Sequence, residues 1–177
     1  MPEILENFAI LMRRDIDFNT LSLGGVAYGS DVREFPFERI SEITLAKVVE
    51  RASYSDDVGY RYYDENDKEL KKSEVINSVI EDGGVFHFAE KVSFFVNNGR
   101  VNGFSIYGGH ERFFRYLPNF EIFIQEFGNP DELKTSMAHG DEFMKKCLYR
   151  GCKKLVVWNT VSQEIVCFVL GDVADTL

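Results

Sequence analysis

The 177 residues include 29 Asp and Glu against 20 Lys and Arg, giving a formal charge of -9 and a pI near 4.9. Hydrophobic residues make up 45%, with 16 Phe and 8 Tyr, so a substantial core is available and intrinsic disorder is excluded. The acidity argues against a general nucleic-acid binder, which needs a basic surface. No run approaches the roughly 18 apolar residues of a transmembrane helix, and Glu3 and Glu6 stand where a signal peptide would be basic. The expectation is a cytoplasmic protein with no membrane segment.

In chain order, Ile4, Leu5, Phe8, Leu11 and Met12 fit one helical face, although residues 8–12 fit a strand equally. The glycine-rich stretch 24–30 lacks the Lys-Ser/Thr of a phosphate loop and the spacing of a dinucleotide fingerprint, so it reads as backbone geometry at a turn. Residues 43–53 and 58–63 look extended, the latter ending in the polar turn Asp64-Glu65-Asn66-Asp67. Ser73 is a candidate N-cap for a helix over 73–80, stopped by Gly83-Gly84. Strands are expected at 84–89, 91–96 and 100–107, the last two joined by an Asn98-Gly99 hairpin turn.

A helix over 110–117 ends before Pro118, and Asn119 caps another over 120–127 that stops at Gly128-Asn129-Pro130. Residues 143–149 are read as a strand in preference to a helix, although both periods fit. The β-branched runs 153–158 and 164–170 make a final hairpin around Asn159-Thr160-Val161-Ser162-Gln163, with 164–170 a plausible edge strand. The whole predicts an α+β fold: antiparallel meanders and hairpins with a few short helices packed on the sheet. It reads as one domain over 1–177. A shared order of elements in 23–107 and 127–170 suggests two related halves, with possible boundaries 1–117 and 118–177.

Recognisable chemistry is sparse. Cys147, Cys152 and Cys167 are too few and too odd in number for a disulfide framework. Cys147 and Cys167 sit in apolar runs. Cys152 stands beside Lys153 and Lys154, which favour a thiolate, although a plain turn cysteine fits the same residues. His87, His110 and His139 are scattered, without metal-ligand spacing. The acidic run from Asp64 fails as a calcium loop, because Lys68, Glu69 and Val75 occupy ligand or glycine positions. No metal or cofactor is expected.

No nucleophile motif is present, so His110, after Gly108-Gly109, is the best single candidate for a functional histidine. A helix-capping histidine is its plain structural alternative. Residues 1–130 hold 22 acidic and 14 basic residues, so nearly all the net negative charge precedes residue 131. Tyrosines interleave with this charge. Carboxylates with tyrosine suit the capture of a basic protein, which makes Asp56, Asp57, Tyr63, Asp64, Glu65, Asp67 and His110 the candidate partner-binding residues.

The segment Phe127-Gly128-Asn129-Pro130-Asp131-Glu132, followed by strands through Leu155-Val156-Val157-Trp158 and Glu164-Ile165-Val166, resembles a pattern in bacterial polymorphic-toxin immunity proteins. So does Leu21-Ser22-Leu23-Gly24-Gly25-Val26 taken with Asn98-Gly99-Arg100-Val101-Asn102-Gly103-Phe104. The resemblance implies a protein that binds and occludes a co-produced toxin domain, often an enzyme. It supplies no binding residues. The acidity makes a basic toxin domain the expected partner, and the chain itself is not expected to be an enzyme. A small enzyme with a site near His110, and a homo-oligomeric assembly protein, are the alternatives; the chain itself is expected to be a monomer or homodimer.

Overall fold

The computed structural model describes residues 2–45, 51–55, 59–64, 66–117, 119–138 and 141–176. They form two compact units, one continuous (Gly29–Asn102) and one built from two stretches of chain (Met1–Tyr28 and Gly103–Leu177). Each is α+β with antiparallel sheet predominating, as the sequence predicts.

The first stretch answers the helix-or-strand question at residues 8–12 with a third form. Phe8–Met12 is a 3-10 helix capped by Asn7, whose side chain accepts the Ala9 amide at 3.3 Å, and it buries Phe8, Ile10 and Leu11. Ser22–Leu23 (β1) and Val26–Ala27 (β2) then form a small hairpin about Gly24-Gly25. Both glycines have positive φ, 58° and 83°, the geometry a two-residue turn demands. The Glu3 carboxylate accepts the Gly24 and Gly25 amides at 2.7 and 3.0 Å and the Ser22 hydroxyl at 3.0 Å. The turn amides are thus held by the protein's own carboxylate, in line with a purely conformational role for this stretch.

The continuous unit carries Ile40–Leu45 (β3), Arg51–Ser55 (β4), Gly59–Tyr63 (β5), Glu69–Leu70 (β6), Lys72–Asp82 (α1), Gly84–Phe88 (β7), Val92–Asn97 (β8) and the start of Arg100–Tyr107 (β9). Its larger sheet runs β3-β7-β8-β9, and β4-β5-β6 make a separate one. The β8–β9 turn places Asn98 and Gly99 at φ 50° and 69°, as the Asn-Gly pair requires. Helix α1 starts earlier than Ser73 predicts. Lys71 is the N-cap residue, because its amide donates to the Glu74 carboxylate at 2.7 Å and fixes the first turn there. Val75 and Val79 of α1 are buried, and a Cβ added to Gly84 would run into the Thr44 carbonyl and the Val79 side chain. Only glycine lets these backbones approach so closely. Phe35, Phe86, Phe88 and Phe94 form the core, with ring centroids 4.7–5.6 Å apart.

In the discontinuous unit the chain resumes with the rest of β9, then Glu111–Tyr116 (α2), Phe120–Phe127 (α3), Glu132–Ala138 (β10), Asp141–Tyr149 (β11), Lys154–Asn159 (β12) and Ile165–Gly171 (β13). Asn119 caps α3 as expected, its side chain accepting the Ile122 amide at 3.0 Å, and Gly128 ends it at φ 102°. Residues 143–149 lie within strand β11. The sheet order is β9-β13-β12-β11-β10, antiparallel throughout. Strand β13 is therefore internal, which corrects its reading as an edge. Its nearly unbroken apolar run suits a strand with a neighbour on each side. Phe113 of α2 and Phe123 of α3 meet Phe168 of β13 at 6.0 and 5.8 Å, and Phe8 meets Phe113 at 5.7 Å. An aromatic spine thus joins the two chain stretches of this unit.

Candidate protein-binding surface

Strand β5 spells Gly-Tyr-Arg-Tyr-Tyr, and pleat alternation puts Tyr60 and Tyr62 on one face. Their fates differ. Tyr62 is buried, and its hydroxyl accepts the Ile43 amide of β3 at 2.7 Å. Burial raises its pKa. Tyr60 is 37% exposed and pairs in register with Tyr54 of β4, itself 61% exposed, with ring centroids 5.0 Å apart. The negative charge of Glu42 pushes the Tyr60 pKa up, and partial desolvation and a hydrogen bond to the same carboxylate add to this. Two amphipathic rings thus stand at the surface, and a carboxylate holds one of them, Tyr60.

Beside them lies a hollow of about 410 Å³, lined by Ser41, Glu42, Tyr60, Arg61, Glu69 and Lys72 among others. Arg61 and Glu69, on neighbouring strands of its lining, stand 4.0 Å apart, and the Lys72 ammonium donates to the Phe37 and Ile40 carbonyls at 3.4 and 3.3 Å. Glu42 lies opposite His87 of β7. That imidazole is held between the Ser93 and Thr44 hydroxyls, with Nδ1 at 2.7 Å and Nε2 at 2.9 Å. Burial lowers the His87 pKa, against an opposing pull from Glu42. Alternation turns His87 to the sheet face opposite the buried Phe86 and Phe88, and it is half-buried there.

Tyr63, Asp64 and Asp67 follow one another along β5 and the turn into β6. Tyr63 is opposite Arg51 and Glu69 in the two ladders. Asp64 builds the turn: its carboxylate accepts the Asn66 and Lys68 amides at 2.9 and 3.0 Å, and Asp67 closes it at φ 60°. Asp56, Asp57 and Glu65 lie outside the described residues. His110 belongs to the discontinuous unit, where it caps α2. Its Nδ1 accepts the Phe113 amide at 3.4 Å, and its ring meets Phe8 edge-on at 5.9 Å. Sequence reasoning did not select Glu42. Alternation alone would put Glu42 on the face of Ile40, two residues before it; the register irregularity between Ile40 and Glu42 sets it opposite His87 instead, and nothing local in the sequence announces that bulge.

The discontinuous unit holds a second group of perturbed side chains. Lys154 is fully buried, donates to the Leu11 carbonyl at 2.6 Å and to that of Arg13, and has its ammonium 4.4 Å from the Phe127 ring centroid. Burial lowers its pKa to about 8. Cys152 nearby is buried, and desolvation raises its thiol pKa in spite of the opposing charge of Lys154. The thiolate reading of Cys152 thus loses to burial. Cys147 and Cys167 are likewise raised by burial, each to about 11. Among the described residues no three His, Cys, Asp or Glu side chains gather as a metal site, and no helix is long and apolar enough to cross a membrane.

Compared with protein-family models, curated proteins and solved structures, the chain matches none. Its surface must be read from its own chemistry.

Tyr62→Phe keeps the ring and removes the acceptor of the Ile43 amide. An unpaired buried donor costs about 1–3 kcal/mol, so the urea midpoint should fall accordingly. An unchanged midpoint would show that the amide finds another partner.

Proposed function

We propose that the chain is a protein-binding module that uses the Tyr54/Tyr60 face to grip a basic partner. Its most concrete form is an immunity protein that binds and neutralises a bacterial toxin domain. The observation that carries the reading is the exposed Tyr54/Tyr60 pair, with Glu42 on Tyr60 at the rim of a hollow. Rigid tyrosines beside a carboxylate offer an Arg or Lys side chain both an aromatic face and a counter-charge. Most of the protein's negative charge lies before residue 131, which favours rapid capture of a cationic surface. The turn and strand segments that resemble immunity proteins support the same reading.

The test is co-expression with a candidate toxin domain taken from a neighbouring gene. Native protein should restore growth and co-purify with that domain. Tyr60→Ala combined with Glu42→Gln should weaken the isolated complex by roughly tenfold to a hundredfold, the range of a typical hot spot. If the native chain neither rescues growth nor co-purifies, the immunity reading fails. If it binds and the double variant binds equally well, the tyrosine face is the wrong surface.

A further inference from the structure

The sheet of the discontinuous unit ends at β10. Along its register, Ile106, Phe168, Val156 and Cys147 lie directly opposite one another on β9, β13, β12 and β11, and Leu133 of β10 completes the row. Directly opposed residues share a face. The contacts of Phe113 and Phe123 with Phe168 place α2 and α3 over that face. The first four members of the row are buried, whereas Leu133 is 57% exposed. A packed apolar row therefore reaches the surface at its fifth strand, on the side where β10 has no neighbour among the described residues.

Proteins usually blunt an open edge with charge, lysine above all, and Lys134 is present. Here, however, the charges come as a pair of opposite sign flanking the leucine. In an antiparallel self-pairing centred on Leu133, each leucine meets its own copy, and Glu132 of each chain faces Lys134 of the other. Asp131 then faces Thr135. Pro130, which has no amide hydrogen, and the register irregularity between Ser136 and Ala138 bound the pairable stretch on its two sides. Within one chain Glu132 already holds Lys134 at 3.3 Å and pairs with Arg150, so association would extend an existing charge network across the axis.

We propose that β10 is a self-association edge, pairing antiparallel with β10 of a second copy about a two-fold axis through Leu133. An axis normal to the sheet keeps the helix-covered faces of both copies on one side, so the apolar row continues from one chain into the next. The surface uses none of the residues of the tyrosine face and does not depend on the partner proposed for it.

Sedimentation velocity over a concentration series tests this on the full chain, with circular dichroism confirming that each variant is folded. The native chain should show a monomer–dimer equilibrium. Leu133→Asp, Glu132→Lys and Lys134→Glu should each raise the dissociation constant by roughly tenfold or more, since each sets like charges or buried charge face to face. A mixture of the Glu132→Lys and Lys134→Glu chains should recover dimer, because every lysine then faces a glutamate. A native chain that stays monomeric at every concentration overturns the proposal. So does a dimer indifferent to Leu133→Asp, or a charge-swapped mixture that stays monomeric.

Discussion

Lys154→Ala should be among the most destabilising single substitutions in the discontinuous unit, by about 3–5 kcal/mol in urea unfolding. The four-carbon stem is fully buried, so its loss leaves a cavity comparable to a Leu-to-Ala or Met-to-Ala change, about 2–5 kcal/mol. It also strips the Leu11 and Arg13 carbonyls of their donor. Lys154→Met refills most of the volume and removes a desolvated charge, so it should cost less than alanine, and the orphaned carbonyls account for what remains. Equal losses for the two variants would show that the cavity contributes little.

The same residue gives a pH signature. The folded pKa is lowered to about 8 from 10.5, so between these values the unfolded chain binds more protons than the folded one. Stability therefore rises with pH across that window through this group. A neutral amine retains two N–H donors, enough for both carbonyls. The stability gap between native protein and Lys154→Met should widen from about pH 8 towards pH 10, other titrations being common to both. A gap that narrows would mean that the ammonium form is favoured by burial, contrary to the structure.

Phe168→Ala should match or exceed that loss, at about 3–5 kcal/mol, because its fully buried ring sits between Phe113 and Phe123 on an internal strand. For a chain of this size that corresponds to a fall of about 6–20 °C in melting temperature. Calorimetry on the variant checks it. Phe168→Leu, which retains much of the volume, should recover a large part of the loss. A Phe168→Ala protein melting within a degree or two of native would mean that the spine can collapse around the gap.

Features whose chemistry is local were legible in the sequence. Asn98-Gly99, Asn119 with Gly128, and the two-residue turn at Gly24-Gly25 each need a particular side chain or positive φ at one place. Non-local pairing was not. Nothing in residues 2–28 announces that they complete a core with 103–177, since that depends on rings such as Phe8 and Phe113 meeting across the chain. Lys153 and Lys154 show the same limit within two residues. The sequence presents them as one basic pair beside Cys152. Lys153 adopts φ 50° and pairs with Asp172 at the surface, while the next residue opens β12 and turns its ammonium inward. For the site, a tyrosine-rich stretch beside an acidic turn was visible, but Tyr63 was selected and not Tyr54 or Tyr60, and the meeting of Glu42 with Tyr60 depends on two strands of different sheets.

The division of the chain has a consequence for biosynthesis. Residues 29–102 have every partner of their own unit as soon as that stretch has been made, so this unit can fold while synthesis continues. The other unit must wait. Its opening stretch stays without its core until Phe113, Phe168 and Lys154 have emerged, and the Lys154–Leu11 contact closes a separation of 143 residues. Such long-range closure slows folding. Among these two units, the stretch up to Tyr28 is thus the part left longest without its native cover.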